Sequence, residues 1–433
     1  MTPLALAYLC TTFVVALYLW RRVGLRVGCA MLVLTVLLLI YGPAHLSFQY
    51  ERELNRDLHP TITIALMLMW VCLLAGLELP RWLFPRAFIA ARRASASWNG
   101  EPLRAGFAPG SLFKPVAIVV LLLLAIDLVA EGQLGKVAAY YGSGGLLEDQ
   151  AQFRQDEGGS RFYLVNILVL TIAPFLSMVL LCEASRLKTW RARSVFAAAF
   201  VIVLLAKLST LQKSPAAIYL LQMCLAWWLI RSNRPKPRTL LGAAAVFLLA
   251  MIPLSLAAFP GIDLVDLLDY FYRRIIEAPQ ETLEDYFAVY PGQIDFLYGL
   301  GFRWLHALIG TGQYVGSSLV VATLHESEGA SFNAVFIADS WADFGFAGIA
   351  LSSIGLGIVA RLVDLYAYGL GKTSASVSIL ASMLFAAIYV ASASFAAALI
   401  TAGLALVPIV AWLLRHPVVP HAVVAPRLQP GPR

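Results

Sequence analysis

Arg273 and Arg274 sit between a run of aromatic residues, Tyr270, Phe271 and Tyr272, and the apolar pair Ile275 and Ile276. A guanidinium presents a fork of donors that matches phosphate oxygens, so the pair suits an anionic ligand held at a membrane surface. Local ion pairs to Asp269 or Glu277 are the competing use of the same charges. Carboxylates crowd the surrounding segment: Asp263, Asp266, Asp269, Glu277, Glu281, Glu284, Asp285, Asp295, Glu326, Glu328, Asp339 and Asp343 all fall between 259 and 344. The first three recur at i, i+3 and i+6, which predicts an amphipathic helix with one acidic stripe. His306 and His325 add groups able to transfer a proton near neutral pH.

A second basic pair, Lys207 and Lys213, brackets the short turn LSTLQ. Lys207 closes an apolar run, where an ionisable side chain is costly and is either functional, paired or snorkelled to the surface. Residues 132–161 carry Tyr140 and Tyr141 before several glycines, then Arg154 and Arg161; aromatic rings there can stack on sugars and the arginines can meet anions. The 5 cysteines fall in apolar runs with no CxxC, zinc or haem spacing and read as small apolar filler. No HExxH, Walker A or GxGxxG pattern occurs, and no Ser-His-Asp order is readable. No cofactor or metal is therefore expected. The carboxylates are competent oxygen ligands for a divalent cation, but no spacing demands one.

These residues need a scaffold, and composition says what kind. The chain is 60% hydrophobic and 13% charged, with a mean hydropathy of +0.78. Soluble domains carry about 25% charged residues, so this is an all-α polytopic membrane protein. A span takes about 20 apolar residues, and about 11 transmembrane helices (range roughly 10–13) fit: 2–20, 27–44, 61–79, 115–131, 162–182, 195–211, 215–231, 239–258, 345–362, 375–392 and 395–414. The first apolar run precedes its arginines, the reverse of a signal peptide, and is expected to be retained.

Loop charge sets orientation. Arg21, Arg22 and Arg26, then residues 80–114, 183–193, 231–238 and 361–372 and the C-terminal tail are net basic; of the intervening loops, 44–60, 127–161 and 259–344 are net acidic, and 207–213 carries the Lys207 and Lys213 pair. That alternation places the N-terminus outside and the C-terminus inside. The net charge of +7 is thus a topology signal and does not point to nucleic acid. Residues 304–324 are apolar enough to enter the membrane, but a full crossing would break the alternation, so a re-entrant segment is expected. Trp82, Phe84, Arg86, Phe88, Arg92 and Arg93 read as an interfacial anchor among membrane lipids. Residues 1–416 form one transmembrane domain with outer loops at about 259–344 and 132–161, and the Pro-rich stretch 417–433 reads as a disordered inner tail.

The run RRIIEAPQETLEDYFAVYPGQIDFLYGLGF resembles the central periplasmic loop of Wzy-type O-antigen and oligosaccharide repeat-unit polymerases, through Arg273, Arg274, Pro279, Tyr286, Pro291 and Gly299 or Gly301. NAVFIADSWADFGFAGI is similar to the family's approach to the next span, through Asn333, Asp339, Phe344, Gly345 and Gly348. LQKSPAAIYLL matches the short basic turn with Lys213, and QFRQDEGGSRFYLVNILVLTIAPFL an earlier loop and span with Arg154 and Pro174. The chain has Arg-Ile-Ile where the family favours an aromatic, which leaves Arg273 and Arg274 as alternatives. The resemblance implies a bacterial inner-membrane glycosyltransferase acting on a polyprenyl-diphosphate-linked oligosaccharide at the periplasmic face, without a cofactor. A flippase and a chain-length regulator of the same pathway are its implied partners. Arg273 or Arg274, with Lys213 and Arg154, would stabilise the leaving diphosphate, and Lys207 is a further candidate for binding the substrate. Asp339, Asp343 or His325 would be the base, and Asn333, Tyr286, Tyr290 and Trp341 would contact sugars. A lipid-linked sugar ligase and a transporter are the alternative readings; mid-membrane charges and broken repeat helices would favour the transporter.

Overall fold

A computed structural model describes residues 2–24, 26–52, 55–108, 110–130, 132–142, 163–210, 213–234, 263–301, 306, 316–324 and 335–415. The expected span 239–258, most of the loops 132–161 and 304–324, and the tail 417–433 lie outside the described residues. So do Arg154, His325 and Asn333, and the side chain of Lys213.

The described residues contain no strand; they form a helical bundle. In chain order the helices are α1 (Pro3–Tyr18), α2 (Cys29–Tyr41), α3 (Ala44–Glu51), α4 (His59–Leu83), α5 (Pro85–Ser97), α6 (Phe113–Ala130) and α7 (Gln133–Gly142). Next come α8 (Tyr163–Leu187), α9 (Trp190–Leu208), α10 (Lys213–Leu229), α11 (Leu264–Tyr272) and α12 (Ala278–Val289). The last are α13 (Ser317–Leu324), α14 (Ile337–Gly369), α15 (Ser374–Val390), α16 (Phe395–Leu399) and α17 (Leu406–Arg415).

Among the described residues, 6 stretches are long and apolar enough to cross a membrane: Pro3–Val23, Cys29–Tyr50, His59–Leu83, Phe113–Ala130, Tyr163–Leu187 and Ile337–Gly369. Each coincides with a span expected from hydropathy. Ser214–Leu229 and Ser374–Val390 are shorter apolar helices. The apolar stretch expected as a single span over 395–414 is instead two helices, α16 and α17. Ala402 and Leu404 donate backward across the break, Gly403 has φ +84, and the Thr171 hydroxyl donates to the Thr401 carbonyl. The break is held by these bonds and by the buried Ala398, Ala402 and Leu404. Thr171 lies in a π-helical turn of α8, Leu168–Ile172, so two irregular segments face each other.

Burial follows position in the bundle. Almost every residue of α15 is buried, from Ser374 to Val390, making it the central helix. A Thr373–Ser376 capping box starts it. By contrast α1 buries only Tyr8, Thr12 and Val15, and α6 exposes Ile118, Leu122 and Ile126. Apolar surface of that extent on peripheral helices is the signature of a lipid-facing belt.

The tightest seam joins α4 to α14. A Cβ on Gly76 would stand 2.2 Å from the Ile354 carbonyl oxygen, and one on Gly357 would stand 2.4 Å from that of Leu73. The two backbones meet only because both positions lack a side chain. At one end of the bundle Tyr41 lies 3.2 Å from the Pro279 carbonyl and 3.3 Å from that of Ala391, and Phe336 N–H donates to Val390. At the other, Cys29 and Ala30 N–H donate to Asp364, Val27 N–H to Asn233, and Ser374 to Glu183. The described residues of 44–60 and 259–344 therefore meet at one end, and those of 183–193, 231–238 and 361–372 lie at the other.

Candidate functional site

The carboxylates of the long segment are not equivalent once folded. Asp339 lies in the first turn of α14, where the helix dipole favours an anion. It accepts from the Ser317 hydroxyl of α13 and from Tyr286 of α12 at 3.3 Å. One turn later, buried Asp343 accepts the N–H groups of Gly299 at 3.2 Å and Gly301 at 3.0 Å. α14 kinks immediately afterwards, at Phe344 (φ −142) and Gly345 (φ +58). The left-handed φ and the Phe296 ring, 3.1 Å from where a Cβ would stand, both call for glycine there. The kink leaves the Ala342 and Asp343 carbonyls to accept from Leu297 and Tyr298, each at 2.9 Å, which clasps the 297–301 turn against α14.

An aromatic cluster supports this corner. Trp341 stacks on Phe287 at 4.1 Å and meets Phe296 and Phe346 edge-on, and its Nε1–H donates to the Tyr290 carbonyl at 2.8 Å. Tyr286, Tyr290 and Trp341, expected to contact sugars, are buried here, with their faces covered by protein. Burial pushes the Tyr290 phenol up to about 12, with Asp339 and Asp343 adding to the rise.

The arginines stand apart from this corner. α11, capped by Asp263, runs without a break through a π-helical turn, Arg273–Glu277, into α12. Asp263 is thus the cap rather than part of an acidic stripe. Arg273 Nε pairs with Asp269 at 2.9 Å, with side chains 68% and 54% exposed, so the local ion pair lies on the protein surface. The Arg274 guanidinium lies 5.9 Å from the Tyr270 ring centroid, a cation–π distance. From Arg273 to Tyr286 is about 20 Å of helix. Lys207 is buried at the end of α9, where its Nζ donates to the Leu170 carbonyl at 3.2 Å, 4.8 Å from the Phe385 ring centroid. The structure therefore gathers Asp339, Asp343, Tyr286, Tyr290 and Trp341, and leaves Arg273, Arg274 and Lys207 elsewhere.

One charged cluster escapes sequence reasoning. Glu284, buried on α12, meets Arg52 Nε at 2.9 Å and His59 Nε2 at 3.0 Å, and Arg52 also pairs with Glu281. Burial pushes the Glu284 carboxyl up to about 7, against the opposing pull of Arg52. A carboxyl at that value exchanges its proton near neutral pH. The available signal was the pairing of sides: 44–60 and 259–344 are both expected outside, so their charges can meet. Next to it, His45 Nδ1 lies 3.0 Å from Gln280, whose amide donates to Ile40. Among the described residues no three His, Cys, Asp or Glu side chains gather as metal ligands.

Comparison with protein-family models, curated proteins and solved structures finds no match to this chain.

Proposed function

We propose that this protein polymerises polyprenyl-diphosphate-linked oligosaccharide repeat units by inverting glycosyl transfer. The reaction takes place at the periplasmic face of a bacterial inner membrane, with the N-terminus outside and the C-terminus inside. The observation that carries this reading is the order of motifs from Arg273 to Gly348, together with the buried Asp339 at the head of a kinked apolar helix. In the proposed reaction the acceptor hydroxyl attacks the anomeric carbon of the donor chain, and the bond to the lipid diphosphate breaks. Asp339 takes the hydroxyl proton, exchanging its Tyr286 or Ser317 bond for the incoming sugar. Lys213 and Arg154 neutralise charge growing on the departing diphosphate, so that no metal has to, while Arg273 or Arg274, about 20 Å of helix from Tyr286, holds the diphosphate of the acceptor unit's own lipid carrier. Glu284, poised near neutrality, is a further proton acceptor on the same face. A flippase would deliver the substrate and a chain-length regulator would limit the product.

The test is reconstitution of the purified chain in vesicles with lipid-linked repeat units, read as a gel ladder. Wild type should extend chains. Replacing Arg273 and Arg274 separately by Ala should abolish the ladder in at least one variant. Labelled lipid crossing the bilayer without any ladder would replace this reading with a transporter.

A further inference from the structure

The end of the bundle opposite Asp339 holds a cavity of about 560 Å³ between the π-helical turn after α1 (Leu19–Val23), α4, α5 and α14. Its walls carry seven arginines against two carboxylates. Both carboxylates are already engaged. Glu78 accepts from Tyr18 at 2.7 Å and from Arg81 at 3.2 Å. Asp364 caps the start of α2, accepting from Cys29 and Ala30. Arg361 is likewise committed, to the Leu77 carbonyl at 3.0 Å and to Tyr18 at 3.1 Å. Among the described residues, Arg21, Arg22, Arg92 and Arg234 form no ion pair, although all line this one space. Arg26 shares it, and among the described residues its side chain donates to the neutral Ser95 hydroxyl at 3.4 Å. Burial and the facing guanidiniums of Arg234 and Arg92 push Arg26 below its ordinary value.

Such a concentration of like charge is unfavourable by itself and favours an anion with several acceptor oxygens. The surroundings say what carries that anion. Trp20 and Trp82 border the cavity region and are 66% and 78% exposed, as interfacial tryptophans are. A second cavity of about 570 Å³ shares Arg81, Phe88 and Arg92 with the first and adds the apolar walls Trp82, Pro85 and Ile89. Polar and apolar space thus adjoin along α5, an arrangement that fits a headgroup with attached chains better than a free ion.

We propose that this arginine cavity binds the phosphodiester headgroup of an anionic glycerophospholipid, with acyl chains lying against the apolar side of α5. The site is separate from the Asp339 corner and does not depend on the polymerase reading.

The test uses the full chain in detergent, titrated with phosphatidylglycerol or phosphatidylcholine and read by native mass spectrometry. Phosphatidylglycerol should bind about tenfold more tightly than phosphatidylcholine. The double variant Arg22→Gln/Arg92→Gln, made at two exposed positions so that folding is spared, should lose about tenfold in phosphatidylglycerol affinity. Arg22→Lys/Arg92→Lys should keep most of it. Arg86→Gln, on α5 but lining neither cavity, should leave it unchanged. Inorganic phosphate in excess should not displace the lipid. Equal affinity for the two lipids, wild-type affinity in the Gln double variant, or displacement of the lipid by inorganic phosphate would each overturn the proposal.

Discussion

The two ends of the bundle treat charge differently. At the Asp339 end each buried carboxylate has its own set of partners: Asp339 has Ser317 and Tyr286, Asp343 has two backbone N–H groups, and Glu284 has Arg52 and His59. At the other end the arginines converge on one cavity, while the carboxylates there are spent on Arg81, Tyr18 and the start of α2. Individually partnered charges make a rigid corner. Charges that share a space without partners make a surface that recruits an anion.

The difference holds only if both ends are fixed to the same frame, and the α4–α14 seam is that frame. Gly357→Leu drives a side chain into the backbone of Leu73 and Gly76. It should cost about 3 kcal/mol and lower the unfolding midpoint in detergent. It should also weaken both phosphatidylglycerol binding and the packing around Asp339. Gly369→Leu, on the same helix with nothing within 4 Å of its Cβ position, should be nearly silent. Equal midpoints for the two variants would break the link between the ends.

A smaller effect sharpens the Asp339 end. The folded Glu284 carboxyl, at about 7, stands above its ordinary 4.5, so the folded chain keeps a proton that the unfolded chain has released. This contribution to stability is complete below about pH 4.5 and is lost as pH rises through about 7. It amounts to about 3 kcal/mol at most. Glu284→Gln should flatten that part of the pH profile, compared by unfolding midpoints at pH 5 and pH 8. Parallel profiles for variant and wild type would remove Glu284 as the buried acid.

The smallest effect concerns Arg273. Its exposed pair with Asp269 is worth about 0.3–0.5 kcal/mol, so Arg273→Ala should leave the unfolding midpoint almost unchanged. Loss of chain extension in a variant of unchanged stability would mark Arg273 as a ligand contact. A large fall in stability would mark it as structural.

Hydropathy made most of the described spans legible, because a 20-residue apolar run has few other uses. It failed at 395–414, where the composition is apolar throughout and the break depends on a neighbour, Thr171, more than 200 residues away in the chain. It also set the start of the span at 345, because Asp339 and Asp343 look like loop residues. Their charges are absorbed by α12, α13 and the 297–301 turn, so the helix begins at Ile337. The acidic segment offered a dozen carboxylates of equal appearance. Only tertiary packing singles out Glu284, whose partner Arg52 lies in a different loop. Arg273 and Arg274 were recognisable by type, but their distance from Asp339 was not, because it depends on an unbroken helical path through the π turn.

The α4–α14 seam also works as a ruler. Between His59 and Glu78 on α4, and between Asp343 and Arg361 on α14, no charged residue interrupts the sequence. At ~1.5 Å per residue these intervals measure roughly 27–29 Å, close to the ~30 Å hydrocarbon thickness of a bilayer. The crossing glycines hold the two gauges side by side, so the spacing of the two polar ends is matched to the membrane by backbone length alone. A thicker or thinner bilayer would then have to bend around the protein rather than stretch it.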